Sequence, residues 1–186
     1  ANLGWIASAL ADRGLVVLGT NHPGTTSRDS IPLETVKLWE RPQDLSALID
    51  ASLAGALPGI TVDEGAIAAL GFSLGGYSVL SRAGAQGDAS AYADYCAEYA
   101  AFYDCAWLAA GGVDVTTLDA DPRYEQSNRD PRVSVVVSVD PALAQAYTPD
   151  SLSQIDAALQ LITLGVGDDV PAGVDAAAFA HRIDGA

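Results

Sequence analysis

The chain has 186 residues and a formal net charge of -15 at pH 7. That length suits one domain, burying about 70% of its unfolded surface without metal or disulfide support. The acidity argues against nucleic acid and anionic membrane surfaces as partners, because both would repel it.

No apolar run approaches the roughly eighteen residues that cross a bilayer, and no signal-peptide pattern opens the chain. Leu3, Ile6, Ala7 and Leu10 repeat at helical spacing between an Asn2 cap and a Gly14 stop, which predicts a helix over 3–14. Residues 15–19 are a short continuous apolar run, the pattern of a strand buried on both faces of a parallel sheet. The loop 20–30 would then lie at the carboxyl edge of the sheet, where such folds carry their clefts. His22, one of two histidines, stands in it. It reads either as a general base or, stiffened by Pro23, as a residue that orders the loop beside the cleft. A helix over 39–53 places Leu45, Leu48, Ile49 and Leu53 on one face, with Pro42 early. Trp39 at its start either lines an acyl pocket or packs on the core.

Residues 66–72 read as an apolar strand that enters Gly71-Phe72-Ser73-Leu74-Gly75 and continues as a helix over 74–83. This is the pattern of a nucleophile elbow, a strained strand-to-helix turn that aims a serine hydroxyl into a cleft. Gly71 and Gly75 are expected to be small because strand and helix crowd together there. Ser73 is the expected nucleophile. The Leu74 N–H, at the positive end of the helix dipole, is the expected oxyanion donor.

Residues 85–130 read as a cap-like insertion. Tyr92, Tyr95, Tyr99, Phe102, Tyr103 and Trp107 crowd its centre, and the segment reads as helical, either a lid over the cleft or a plain insertion packed on the core. Cys96 and Cys105 are the only cysteines and lack the His or Cys partners of a zinc site, so no metal is expected. A disulfide between them would suit an oxidising compartment, periplasmic or secreted. The alternative is two reduced thiols buried as small hydrophobes.

Residues 132–139 are the most strand-like run and end at Asp140-Pro141. A further buried strand over 159–165 precedes a turn containing Asp168 and Asp169, and a final helix is expected over 172–183. His181, beside Arg182 in that helix, reads as a surface residue. Strands alternate with helices without an internal repeat. The order predicts a single α/β domain, a mostly parallel sheet with helices on both faces.

Several phrases taken in order resemble the α/β-hydrolase fold, and within it the group joining the predicted dienelactone hydrolases to the platelet-activating-factor acetylhydrolases. They are Asn21-His22-Pro23-Gly24, Arg41-Pro42-Gln43-Asp44, Gly71-Phe72-Ser73-Leu74-Gly75-Gly76-Tyr77, and Arg129-Asp130-Pro131-Arg132 before Val139-Asp140-Pro141. The resemblance implies a serine esterase that cleaves small carboxylic esters through an acyl-enzyme on Ser73 and uses no cofactor. Members of the fold carry a His-Gly segment before the first helix seen here and a histidine after the last strand. The 186 residues are therefore expected to be the middle of a longer enzyme, without the first strands and the last strand and helix. For the triad acid, Asp140 abuts a valine-rich strand and is locked by Pro141, whereas Asp168 sits in a turn open to solvent. Asp140 is the first choice and Asp168 the reserve, and the acid position of platelet-activating-factor acetylhydrolases, in a Leu-Asp setting, resembles Val139-Asp140. Two other readings keep the fold: a catalytically inactive binding protein, and a lactone hydrolase or acyltransferase.

Overall fold

Valines fill five of the seven positions in Val133–Val139, and side chains so stiff at χ1 favour the extended backbone. In the computed structural model, which describes residues 3–26, 28–165, 170 and 179–183, this segment is the central strand of a three-stranded parallel sheet. In chain order the elements begin with α1 (Gly4–Ala11), the two-residue strands β1 (Thr25–Thr26) and β2 (Asp29–Ser30), α2 (Pro32–Thr35) and α3 (Glu40–Leu53). There follow β3 (Ile67–Phe72), α4 (Leu74–Ala83), α5 (Ala89–Glu98), α6 (Tyr103–Ala110), β4 (Val133–Val139), α7 (Pro149–Ser153) and β5 (Ala158–Ile162). The fold is mixed α/β. β1 and β2 pair antiparallel, and the main sheet has the order β3-β4-β5.

The pleat sorts the strand residues onto two faces. Ala69, Val136 and Leu159 face α4, where Val79 and Ala83 pack on them, and Leu45 and Ile49 of α3 pack against the same cluster. Of the four apolar positions expected on one face of this helix, Leu45 and Ile49 are in the cluster and Leu48 and Leu53 are not. The opposite face carries Phe72, Val135 and Ile162, exposed by 42%, 40% and 37%. Helices cover both faces in the sequence reading, but among the described residues they pack on one.

Residues 15–19 do not form a strand. Leu15, Val16, Val17 and Leu18 lie outside any helix or strand and are exposed, the outer edge of β3 has no partner among the described residues, and α1 buries none of its residues. An apolar run reports that a segment can be buried, not which edge will receive it. Asn2 and residues 172–178 of the expected final helix lie outside the described residues.

Two polar clamps hold α3 and α4 together along the middle and last turn of α4. Asp130, with its side chain 3% exposed, accepts from Arg132 Nε (2.8 Å) and Nη2 (2.7 Å), from Arg82 Nη2 of α4 (3.0 Å) and from Ser46 Oγ of α3. One carboxylate thus joins both helices to the foot of β4. Arg41 of α3 donates through Nε to Ser78 Oγ of α4 (3.0 Å) and through Nη1 to Thr25 Oγ1 (2.7 Å), fastening β1 to the same pair. Burial pushes the Arg41 guanidinium down to about 10, so it stays charged at neutral pH.

The insertion folds as helices. Asp88 caps α5 by accepting from the Ala91 N–H (2.9 Å), and Cys96 of α5 is bonded to Cys105 of α6. The two sulfurs pack in a cluster with Tyr92, Tyr95, Leu108 and Val113.

Candidate active site

The register sets Phe72 opposite Val139, so the two following residues, Ser73 and Asp140, leave neighbouring strands at the same sheet edge. Ser73 has φ 54 and ψ -120, a conformation that a residue with a Cβ rarely adopts. The surrounding backbone holds it there: its N–H donates to Val139 O (2.9 Å), and its carbonyl accepts from Tyr77 N (3.1 Å) and Ala142 N (3.1 Å). Strand and helix meet so closely that a Cβ on Gly71 would stand 2.1 Å from Gly75 O. The second crowded position is Gly76, where a Cβ would stand 2.9 Å from Ser138 Oγ. Gly75, expected to be crowded, has open space at its Cβ position, because α4 turns Gly76 and not Gly75 toward β4.

Ser73 lines a cavity of about 230 Å³ together with Asp140, Leu143, Tyr95, Phe102, Tyr103 and Asp104. Among the described residues, three other than glycine have positive φ: Ser73 at 54, Asp140 at 39 and Leu143 at 58. All three line this cavity. Each such conformation costs on the order of 1–3 kcal/mol and persists where its surroundings over-determine it. Asp140 is fixed as firmly as Ser73. Its N–H donates to Ile162 O (2.8 Å), and its carboxylate accepts from the Leu164 N–H at 3.1 and 3.2 Å. Leu74 is the first residue of α4, so its N–H has no intrahelical acceptor and stands at the positive end of the helix.

The remaining expected residues are placed elsewhere. Trp39 is 6% exposed in the core, with the Arg123 guanidinium 4.6 Å from its ring centroid, and it does not line the Ser73 cavity. His22 lines a second cavity of about 500 Å³. Its Nδ1–H donates to Asp44 Oδ2 (2.7 Å), which ties the loop to α3, away from the Ser73 cavity that the sequence expected it to line. Burial lowers the His22 pKa, partly offset by the Asp44 hydrogen bond. His181 is exposed. Neither histidine is a lining residue of the Ser73 cavity, and the Ser73 hydroxyl makes no hydrogen bond among the described residues. Asp168 and Asp169 lie outside the described residues.

Sequence reasoning missed two residues of this site. Leu143 follows Asp140-Pro141 in no recognisable pattern. Asp104 accepts hydrogen bonds from Tyr92 Oη and Tyr95 Oη, each at 3.2 Å, and desolvation raises its pKa above the usual carboxylate value. Its signal was local and easily passed over: Asp104 precedes Cys105 as Tyr95 precedes Cys96, so the disulfide brings the two together. Among the described residues no group of His, Cys, Asp and Glu is arranged to hold a metal ion. No helix among them is long and apolar enough to cross a membrane.

No protein-family model, characterised protein or solved structure matches this chain.

Proposed function

We propose that this chain carries the nucleophile and acid of a serine hydrolase of the α/β-hydrolase type that cleaves carboxylic esters. The observation that carries the reading is the convergence of Ser73, Asp140 and Leu143, all in costly backbone conformations, on one cavity at the carboxyl end of a parallel sheet. In the proposed reaction Ser73 Oγ attacks the ester carbonyl as a histidine takes its proton. The tetrahedral oxyanion forms beside the Leu74 N–H, the alcohol leaves with the proton, and water releases the acid from the acyl-enzyme. Asp140 holds the histidine in the tautomer that accepts the proton. Neither His22 nor His181 lines the cavity, and the histidine that would serve Ser73 is not among the described residues. The Cys96–Cys105 disulfide supports a periplasmic or secreted location.

A second reading rests on one observation, that neither described histidine lines the cavity: an inactive protein of this architecture that binds a ligand in front of Ser73. One experiment separates them. In the full-length protein a fluorophosphonate probe should label Ser73, and Ser73→Ala should abolish both labelling and turnover of 4-nitrophenyl acetate while the far-UV spectrum is kept. A folded full-length protein whose Ser73 stays unlabelled would establish the binding role instead.

A further inference from the structure

One wall of the Ser73 cavity is contributed by the disulfide-pinned helices of the insertion and is chemically unlike the rest. Tyr95, Phe102 and Tyr103 present rings there, the last two with centroids 4.5 Å apart. Asp104 stands among them. Its carboxylate is partly desolvated, receives neutral donors, Tyr92 Oη, Tyr95 Oη and the backbone N–H groups of Asp104 and Cys105, and pairs with no Lys, Arg or His among the described residues. No cationic side chain lines the cavity among those residues either, and the other carboxylate there is Asp140.

We propose that this wall is a subsite for an organic cation, a protonated amine borne by the substrate and received by Asp104 between the rings. The inference rests on the reading of Ser73 as the nucleophile and names the class of ester it serves. Three physical requirements of an ammonium subsite coincide. A carboxylate whose partners are all neutral keeps its negative charge uncompensated and attracts the ammonium. Ring faces attract the charge through their quadrupoles. The half-enclosed surroundings weaken competition from water, and a cation returns to Asp104 the stabilisation that burial withdrew. The same field repels an anionic substrate. The bridge gives the subsite its shape, since Tyr95 and Asp104 are each the residue before a bonded cysteine.

The test uses full-length protein carrying Ser73→Ala, so that binding is read without turnover. Calorimetric titration at neutral pH and low salt compares benzylammonium, benzyl alcohol of nearly the same shape, and benzoate. Benzylammonium should bind about tenfold more tightly than the alcohol, with benzoate weaker than both. Asp104→Asn should level the first two, and Asp104→Glu should keep their order, with circular dichroism and an absence of free thiols certifying each fold. Equal affinity for amine and alcohol, no binding of the amine, or a preference that survives Asp104→Asn would overturn the proposal. The hydrolase reading fails separately, by an unlabelled Ser73 in the wild-type protein.

Discussion

Asp140 follows its strand at φ 39 with its carboxylate tied to the Leu164 N–H, and a side chain so constrained can orient a partner without being reoriented by it. Replacing it in the full-length enzyme by Asn keeps the shape and reverses part of the hydrogen-bond polarity. Ester turnover by Asp140→Asn should fall by about 10⁴, the scale seen when a triad acid is neutralised, while Asp168→Asn should change it little. Steady-state kinetics with one chromogenic ester decides the matter, and the opposite ordering would transfer the acid to Asp168. The elbow was legible because the glycine before the serine meets a steric demand, which the 2.1 Å approach at Gly71 expresses directly, although the demand after the serine falls on Gly76 and not on Gly75. Asp104 was legible only as the neighbour of a cysteine. That it lines one cavity with Ser73 depends on how α5 and α6 pack, which no local pattern states.

Among the elements, α3, α4 and β4 are held as a unit through Asp130. The Arg132 hydrogen bonds come first, with Ser46 and the Arg82 charge besides, and they hold the Asp130 carboxyl well below the usual range. The folded state therefore takes up this proton at lower pH than the unfolded chain does. The stabilisation is complete above about pH 4 and drains away as pH falls further toward the depressed folded value. Urea unfolding of the wild type should show this acid limb, and Asp130→Asn should flatten it. The variant should also lose about 3 kcal/mol at neutral pH, because Arg82, with its side chain 6% exposed, would be left uncompensated. A flat acid limb in the wild type would remove Asp130 from this role. The bridge between α5 and α6 acts differently, by shortening the unfolded chain's freedom across a sequence separation of nine. Denatured, unreduced protein should show no free thiol, and joint Cys96→Ser and Cys105→Ser replacement should cost roughly 2.5 kcal/mol. Fluorophosphonate labelling of Ser73 should continue at its former rate, since the elbow is anchored to β4 and not to the insertion. β3 and β4 were readable because apolar and β-branched runs end at glycine or proline. The run at 15–19 obeys the same grammar and stays out of the sheet, because composition cannot specify a neighbour.

At the scale of the molecule, a net charge of -15 is set against one apolar sheet face left open among the described residues. The two have different ranges. Like-charge repulsion acts over a Debye length of about 10 Å at 0.1 M salt and about 3 Å at 1 M, whereas apolar contact needs molecules to touch. Added salt should therefore turn the pair potential between molecules from repulsive to attractive. The second virial coefficient, measured by static light scattering, should fall with sodium chloride and change sign, and Val135→Glu should keep it positive to higher salt. A coefficient insensitive to that substitution would show that the sheet face takes no part. If it does take part, salting-out begins at a surface whose position is known, and the colloidal behaviour of the protein can be adjusted at Val135 without touching the cavity.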